Sequence, residues 1–236
     1  LRPGTNVRRQ GEIFRAGEVL LTAPRRLTRG DIGLAASLGY AKLSCRPVVR
    51  AAVFSSGDEL VEPSDGRPLS DGRIYNANGA YVTLAARALG IDAEYAGILP
   101  DDDAVIEARF REAAATHDLV ICSGGVGPGD CDFTAAVLTR LADLRHYHVA
   151  LRPGKPFSFG YFKEAHTLIL GLPGNPVASA TSAENFLRTA VEALQGVHEK
   201  QLVLTARLEG RIKSRAGRRD IVRGVLKTAE DGTLLF

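Results

Sequence analysis

The chain has 236 residues, 45% hydrophobic and 24% charged, which suits a globular protein and excludes a disordered or fibrous one. Its net charge of +3 is too mild to argue for nucleic acid. No apolar run approaches the roughly 20 residues that a membrane span needs, so neither a nucleic acid nor a membrane is expected as a partner.

Residues 1–30 are rich in Arg, Gly and turn formers and predict extended segments and turns. Thr28 precedes an apolar-periodic stretch (Ile32, Leu34, Ala35, Leu38) ended by Gly39, which reads as an N-cap, a short helix and a terminating glycine. A strand is predicted over 48–54, running into the polar turn Ser55-Ser56-Gly57-Asp58-Glu59 and a loop over 62–68. Asn76 or Asn78 is placed to cap the next helix, which Gly90 closes. A strand over 91–99 leads to Pro100-Asp101-Asp102-Asp103 and an alanine-rich helix to about residue 116, whose start the acids complement. The apolar run 118–122 is a buried strand. It feeds Ser123-Gly124-Gly125-Val126-Gly127-Pro128-Gly129-Asp130-Cys131-Asp132, then a helix from 133 to about 143.

In that turn, closely spaced glycines let the backbone approach a ligand, and the helix N-terminus beyond suits a phosphate. Asp130 and Asp132 at the same place point to a divalent cation between phosphate and carboxylates, unless Asp132 is only the helix N-cap.

Alternating β and α segments predict a mostly parallel sheet with helices on both faces, an α/β fold of three layers. The turns at 55–59, 100–103 and 123–132 all follow strands, so they share the carboxyl rim where such sheets bind ligands. A strand over 146–150 then leads to Arg152-Pro153-Gly154-Lys155, a turn between two cations. Segments 157–161 and 167–170 read as a hairpin. Gly171-Leu172-Pro173-Gly174-Asn175-Pro176 is a stiff strand-end turn opening a helix over 177–194. From 197 the pattern alternates, at 201–208 and 221–226, and predicts antiparallel strands of a second, β-rich unit only partly present. Cys45, Cys122 and Cys131 lack metal spacing and are odd in number, which with no signal peptide points to a reduced, cytoplasmic compartment. The chain starts at Leu1 and contains no methionine, so a fragment is expected.

Taken in order, Ser-Ser-Gly-Asp-Glu-Leu, Pro-Asp-Asp, the Ser-Gly-Gly turn with its aspartates, Arg-Pro-Gly-Lys-Pro and Gly-Leu-Pro-Gly-Asn-Pro resemble the molybdopterin molybdenumtransferase family, bacterial MoeA and the E domain of gephyrin. The resemblance implies a segment 1–47 preceding the core, a MogA-like molybdopterin-binding domain at 48–196, and the start of a C-terminal β-barrel-like domain at 197–236. It implies Mg²⁺-dependent insertion of molybdate into adenylylated molybdopterin with release of AMP, in a cytoplasmic homodimer. By position, Glu59, Asp101 and Asp132 match the family's acidic residues, as Mg²⁺ ligands and catalytic groups. Lys155, also catalytic, pairs with Arg152 to hold phosphate or molybdate. Ser123, Gly124, Gly125, Asp130, Gly174 and Asn175 would bind the pterin or its phosphate. The chain departs from the family at Val126-Gly127-Pro128-Gly129, at Arg152 and at His148, where a hydroxyl, a lysine and a lysine are common. No Asp-Gly-Tyr-Ala stretch of the family's N-terminal domain is found. The alternatives are a related molybdopterin adenylyltransferase, a competence-damage protein of the same domain type, a non-catalytic scaffold, and a paralogue that takes tungstate.

Overall fold

The computed structural model describes residues 2–66, 68–125 and 133–236. The chain forms two compact units, Leu1–Cys45 with Gly196–His198, and Arg46–Gln195 with Glu199–Phe236. In the first, helix α1 (Arg29–Ser37) starts at Thr28, whose side chain accepts from the Asp31 N–H. Asp31 accepts from the Thr28 N–H at 2.7 Å in return, so the two satisfy each other's otherwise unpaired donors.

The second unit is built on β1 (Arg50–Ser56), β2 (Asp92–Leu99), β3 (Leu119–Ser123), β4 (Ala142–His148), β5 (Pro156–Phe162) and β6 (Leu168–Leu172). They form one sheet in the order β2-β1-β3-β6-β5-β4. Strands β2, β1, β3 and β6 pair in parallel, and β5 runs against both β6 and β4. The helices are α2 (Asn78–Ala88), α3 (Asp103–Thr116), α4 (Phe133–Leu141), α5 (Pro176–Ser182) and α6 (Arg188–Gln195), with a π-helical turn at Ala183–Leu187 joining the last two.

Successive residues of the central strands serve opposite faces. Ala51, Val53, Leu119 and Ile121 pack with Val82 and Ala86 of α2 and with Ala183, Leu187 and Val191. Ala52, Phe54, Val120 and Cys122 pack with Ile106 and Phe110 of α3 and with Val137 and Leu138 of α4. A strand covered on both faces is apolar at every position, which is why β1 and β3 read as continuous runs. This is the expected three-layer α/β/α architecture.

Two segments differ from the expectation. The strand read at 146–150 is β4, Ala142–His148, and it starts where α4 ends. Its extent is set by unbroken pairing with β5, from Ala142 opposite Phe162 to His148 opposite Pro156. In the C-terminal stretch, residues 201–206 form no strand and 221–226 form none. Instead, Arg219–Asp220 pairs in parallel with Leu151–Arg152, and Lys227–Thr228 pairs antiparallel with Leu234–Leu235. Leu202 and Val203 are 85% and 84% exposed. An alternating pattern becomes a strand only where a neighbour supplies the ladder and something to pack on. Here pairing reaches only the ends of the two stretches, at Arg207, which bridges to Leu235, and at Ile221, whose N–H donates to the Arg152 carbonyl at 2.8 Å.

Because β1, β2, β3, β4 and β6 point the same way, the turns that follow them lie along one rim. These turns carry Glu59, Asp101, Gly124–Gly125, Arg152–Lys155 and Gly174–Asn175.

Candidate functional site at the carboxyl rim

The middle of the rim is made by two glycine turns. Gly124 (φ +88°) and Gly125 (φ +59°) are left-handed. A Cβ on Gly124 would stand 2.3 Å from the Ser56 carbonyl oxygen, and one on Gly125 would stand 2.7 Å from Ser56 Oγ and 2.8 Å from Thr134 Oγ1. The exit of β3 therefore crosses directly over the end of β1, an approach only glycine permits. Beneath it, the Ser56 and Thr134 hydroxyls bond at 2.8 Å, tying β1 to α4. The Gly124 N–H donates to the Leu172 carbonyl at 3.0 Å, and a Cβ added to Gly174 would stand 3.5 Å from the Gly124 Cα.

Ser123, expected to offer its hydroxyl to a ligand, is buried, and that hydroxyl is engaged within the protein. It accepts from Asn78 Nδ2 at 2.8 Å, donates to the Pro173 carbonyl at 3.2 Å and lies 3.1 Å from Ser179 Oγ. Asn78 Nδ2 also donates to the Gly174 carbonyl at 2.8 Å. Asn175 accepts from the Val177 and Ala178 N–H groups at 3.0 and 3.1 Å, so its side chain caps α5, and Pro176 follows as the first helical residue.

The acidic end of the rim lies on the neighbouring strands β1 and β2. Glu59 is exposed in the turn between β1 and Leu60–Val61, which pairs in parallel with Ile74–Tyr75. Its carboxylate folds back over Gly57, where a Cβ would meet Glu59 Oε2 at 2.5 Å. A polar chain underpins the loop. The Tyr95 hydroxyl donates to Glu62 Oε1 and accepts from Asn76 Nδ2 at 2.6 Å, and Asn76 Oδ1 accepts from Ser55 Oγ at 3.0 Å. Burial, and then the Glu62 carboxylate, push the Tyr95 phenol well above its ordinary range. Asp101 is exposed one strand away, and neighbouring strands are about 5 Å apart.

Asp102 and Asp103 are structural. Asp102 caps α3 by accepting from the Ala104 and Val105 N–H groups at 2.9 and 3.1 Å, and Asp103 pairs with Arg140 at 3.1 Å. Asp102→Ala is expected to lower stability by about 1 kcal/mol, the usual worth of an N-cap, measured as a shift of the urea midpoint at unchanged slope.

Asp130 and Asp132 lie outside the described residues, and among the described residues no three His, Cys, Asp or Glu side chains gather to hold a metal. The donor chemistry nonetheless fits Mg²⁺. Glu59 and Asp101 offer hard carboxylate oxygens at adjacent strand ends, and Mg²⁺ keeps several waters and takes one or two protein carboxylates.

The basic end is the turn after β4, closed by the Val149 N–H donating to the Lys155 carbonyl at 2.8 Å. Arg152 and Lys155 are both exposed. Arg152 lines a cleft of ≈ 370 Å³ together with Val177 and Thr181 of α5 and with Lys213, Asp220 and Arg223; Lys155 is not part of that lining. Arg223 donates to the Val177 carbonyl at 3.3 Å and lies 3.4 Å from Thr181 Oγ1. The Ser214 hydroxyl first, and then the Arg218 and Arg152 guanidiniums, hold the Asp220 carboxyl below the usual range. Arg218 pairs with it at 3.0 Å, so the cations Arg152, Lys213 and Arg223 face one carboxylate that is already compensated.

Lys213 and Arg223 were not legible as site residues, since their stretch reads as a basic turn and a strand. The parallel pairing of Arg219–Asp220 with Leu151–Arg152 brings them there. Glu59 and the Arg152 turn follow strands four places apart in the sheet, roughly 20 Å along the rim. The arrangement is two poles of opposite charge joined by close-packed backbone, suited to a long anionic ligand.

Residues 52–193 match the family described as probable molybdopterin binding domain. A Haemophilus influenzae protein named molybdopterin molybdenumtransferase is 37% identical over 235 residues, covering 99% of this chain and 57% of that protein. A Mycobacterium tuberculosis protein named molybdopterin molybdenumtransferase 2 is 35% identical over 236 residues, covering 95% of this chain and 56% of that one. The crystal structure of the molybdopterin biosynthesis MoeA protein from Pyrococcus horikosii superposes with a TM-score of 0.71 at 28% identity, over 89% of this chain and 50% of that chain. The chain thus spans about half the length of these relatives. With its six-stranded sheet, its glycine turns and a match over residues 52–193, the chain belongs to the family described as probable molybdopterin binding domain.

Proposed function

We propose that the whole protein acts in molybdenum cofactor biosynthesis as a molybdopterin molybdenumtransferase. It takes adenylylated molybdopterin and molybdate, and it releases AMP and molybdenum cofactor. The observation that carries this reading is the polarity of the rim, with carboxylates at one end, a basic cleft at the other and glycine turns between them. A pyrophosphate-linked ligand together with an oxyanion needs this division. One end must tolerate a cation beside the phosphates, and the other must hold an anion by charge.

In this reading Arg152, Arg223 and Lys213 bind and orient the oxyanion or the departing phosphate, with Lys155 at the outer end of the same turn. Gly124, Gly125 and Gly174 let the ligand lie against main chain. Ser123 and Asn175 act by fixing those turns, and Asp130 would bind the pterin or its phosphate. Glu59, Asp101 and Asp132 would hold Mg²⁺, which when bound offsets phosphate charge and polarises the phosphoanhydride. Residues 1–47 and 197–236 would belong to parts flanking the 48–196 domain, and the protein would work as a cytoplasmic homodimer. Among the described residues, no helix is long and apolar enough to cross a membrane.

The test is calorimetric titration of the full-length protein with the AMP conjugate of molybdopterin, with and without Mg²⁺. Binding should tighten with Mg²⁺, and Asp132→Asn should remove most of that gain. Equal affinity with and without Mg²⁺ in the parent protein would exclude the assigned metal role. Absence of binding would exclude the substrate.

A further inference from the structure

We propose that Asn78 is a positioning residue. It sets the spacing of the two glycine turns and makes them one binding surface for a phosphate-bearing pterin, an inference that rests on the function proposed above.

The sequence offers Asn78 as a helix cap, but capping is done elsewhere. Asn76 Oδ1 accepts from the Gly79 N–H at 3.1 Å, which leaves the Asn78 side chain for the rim. Its amide nitrogen has two N–H groups, and both are used. One goes to Ser123 Oγ on the turn after β3 and the other to the Gly174 carbonyl on the turn after β6, each at 2.8 Å. A carbonyl can only accept, so Gly174 fixes which end of the amide faces the turns. The residue is 7% exposed and sits at the first position of α2, a rigid element packed on the sheet rather than a loop. Ser123 extends the link by donating to the Pro173 carbonyl. The Gly124 N–H to Leu172 carbonyl bond and the Ser123 to Pro173 bond also join the two strand ends, and Asn78 adds the side-chain tie that reaches Gly174 itself.

The energetics separate this role from plain stabilisation. Gly174 is exposed, so water can take over its carbonyl if the amide is removed. Ser123 keeps Pro173 and Ser179 as neighbours. Loss of Asn78 should then loosen the gap between the turns more than it weakens the fold. A ligand held by both turns feels such loosening steeply, since misplacement by about 1 Å can cost up to about 10²-fold.

The experiment uses full-length Asn78→Ala and the isosteric Asn78→Asp, which lacks both N–H donors. Three quantities are read: affinity for molybdopterin by calorimetry, KM for molybdate, and amide hydrogen exchange of segments covering 123–125 and 172–175. Both variants should bind molybdopterin about tenfold or more weakly, with faster exchange in both turns, unchanged exchange in β1 and an unchanged KM for molybdate. Unchanged exchange in either turn overturns the proposal. So does altered exchange with affinity within twofold of the parent, or an Asn78→Asp protein that binds normally. If the parent protein itself binds no molybdopterin, the proposed function fails, and the exchange measurement alone decides whether Asn78 ties the turns.

Discussion

Gly124→Ala is expected to unfold well below the parent protein and to lose pterin binding. Two costs combine at this position. The new methyl would stand 2.3 Å from the Ser56 carbonyl oxygen, and φ is +88°. The clashing atom is main chain at the end of a central strand, so relief requires moving β1 or lifting the β3 exit away from it. Overpacking and left-handed strain each cost about 1–3 kcal/mol, which puts the sum at about 2–6 kcal/mol. For a chain of this size, at about 2–4 °C per kcal/mol, that corresponds to a fall in Tm of roughly 4–24 °C.

Two controls separate the contributions. At Gly97 φ is +104° but nothing lies within 4 Å of the added Cβ, so Gly97→Ala reports strain alone. At Gly125 the added Cβ meets the Ser56 and Thr134 hydroxyls, which are side-chain atoms that can turn aside at the loss of their mutual bond. The expected order of damage is Gly124→Ala, then Gly125→Ala, then Gly97→Ala, by thermal unfolding. If Gly124→Ala proves no worse than Gly97→Ala, the rim gives way easily and the turn is not held as described.

These glycines also show what the sequence can and cannot convey. That Ser123-Gly124-Gly125 closes a strand and turns through left-handed glycines follows from local pattern, because a positive φ and an apolar run are local properties. The parallel sheet and the shared rim follow from the order of elements, because crossover handedness is nearly invariant. What Gly124 passes over is a long-range fact. Ser56 is distant in the chain, and only the β1–β3 pairing brings the two together.

The same limit explains the misread polar residues. Ser123 looks like an available hydroxyl, yet its partners Asn78, Pro173 and Ser179 come from α2, the turn after β6 and α5. Asn76 and Asn78 are equivalent as caps in the sequence, and the structure gives them opposite duties. Asp101, Asp102 and Asp103 likewise differ only once α3 is placed. In the C-terminal stretch, alternation at 201–208 misleads because pairing decides strand formation, and it is confined there to the bridge of Arg207 with Leu235.

Removal of either arginine of the cleft should act on the oxyanion and little on the pterin. In the full-length protein, Arg152→Ala and Arg223→Ala are each expected to lower turnover by about 10²-fold, the usual loss when one charge-stabilising donor is removed from a site. KM for molybdate should rise, with affinity for molybdopterin close to that of the parent. Arg223 has the more constrained guanidinium, since it also donates to the Val177 carbonyl. Lysine there keeps the charge but loses the planar fork, so Arg223→Lys should recover only part of the activity. Arg152 helps hold the Asp220 carboxyl low, behind the larger effects of Ser214 and Arg218. Its loss should therefore leave Asp220 ionised at neutral pH and the pairing of Arg219–Asp220 with Leu151–Arg152 intact. The Tm of both alanine variants should stay within a few degrees of the parent, because the Arg152 side chain is exposed and Arg223 gives up only long hydrogen bonds. Added salt should weaken molybdate binding in the parent and less so in either variant, because screening acts on the charge that was removed. A pair of variants that keep the parent's KM for molybdate while losing affinity for molybdopterin would move the oxyanion out of this cleft and place the pterin's own phosphate there instead.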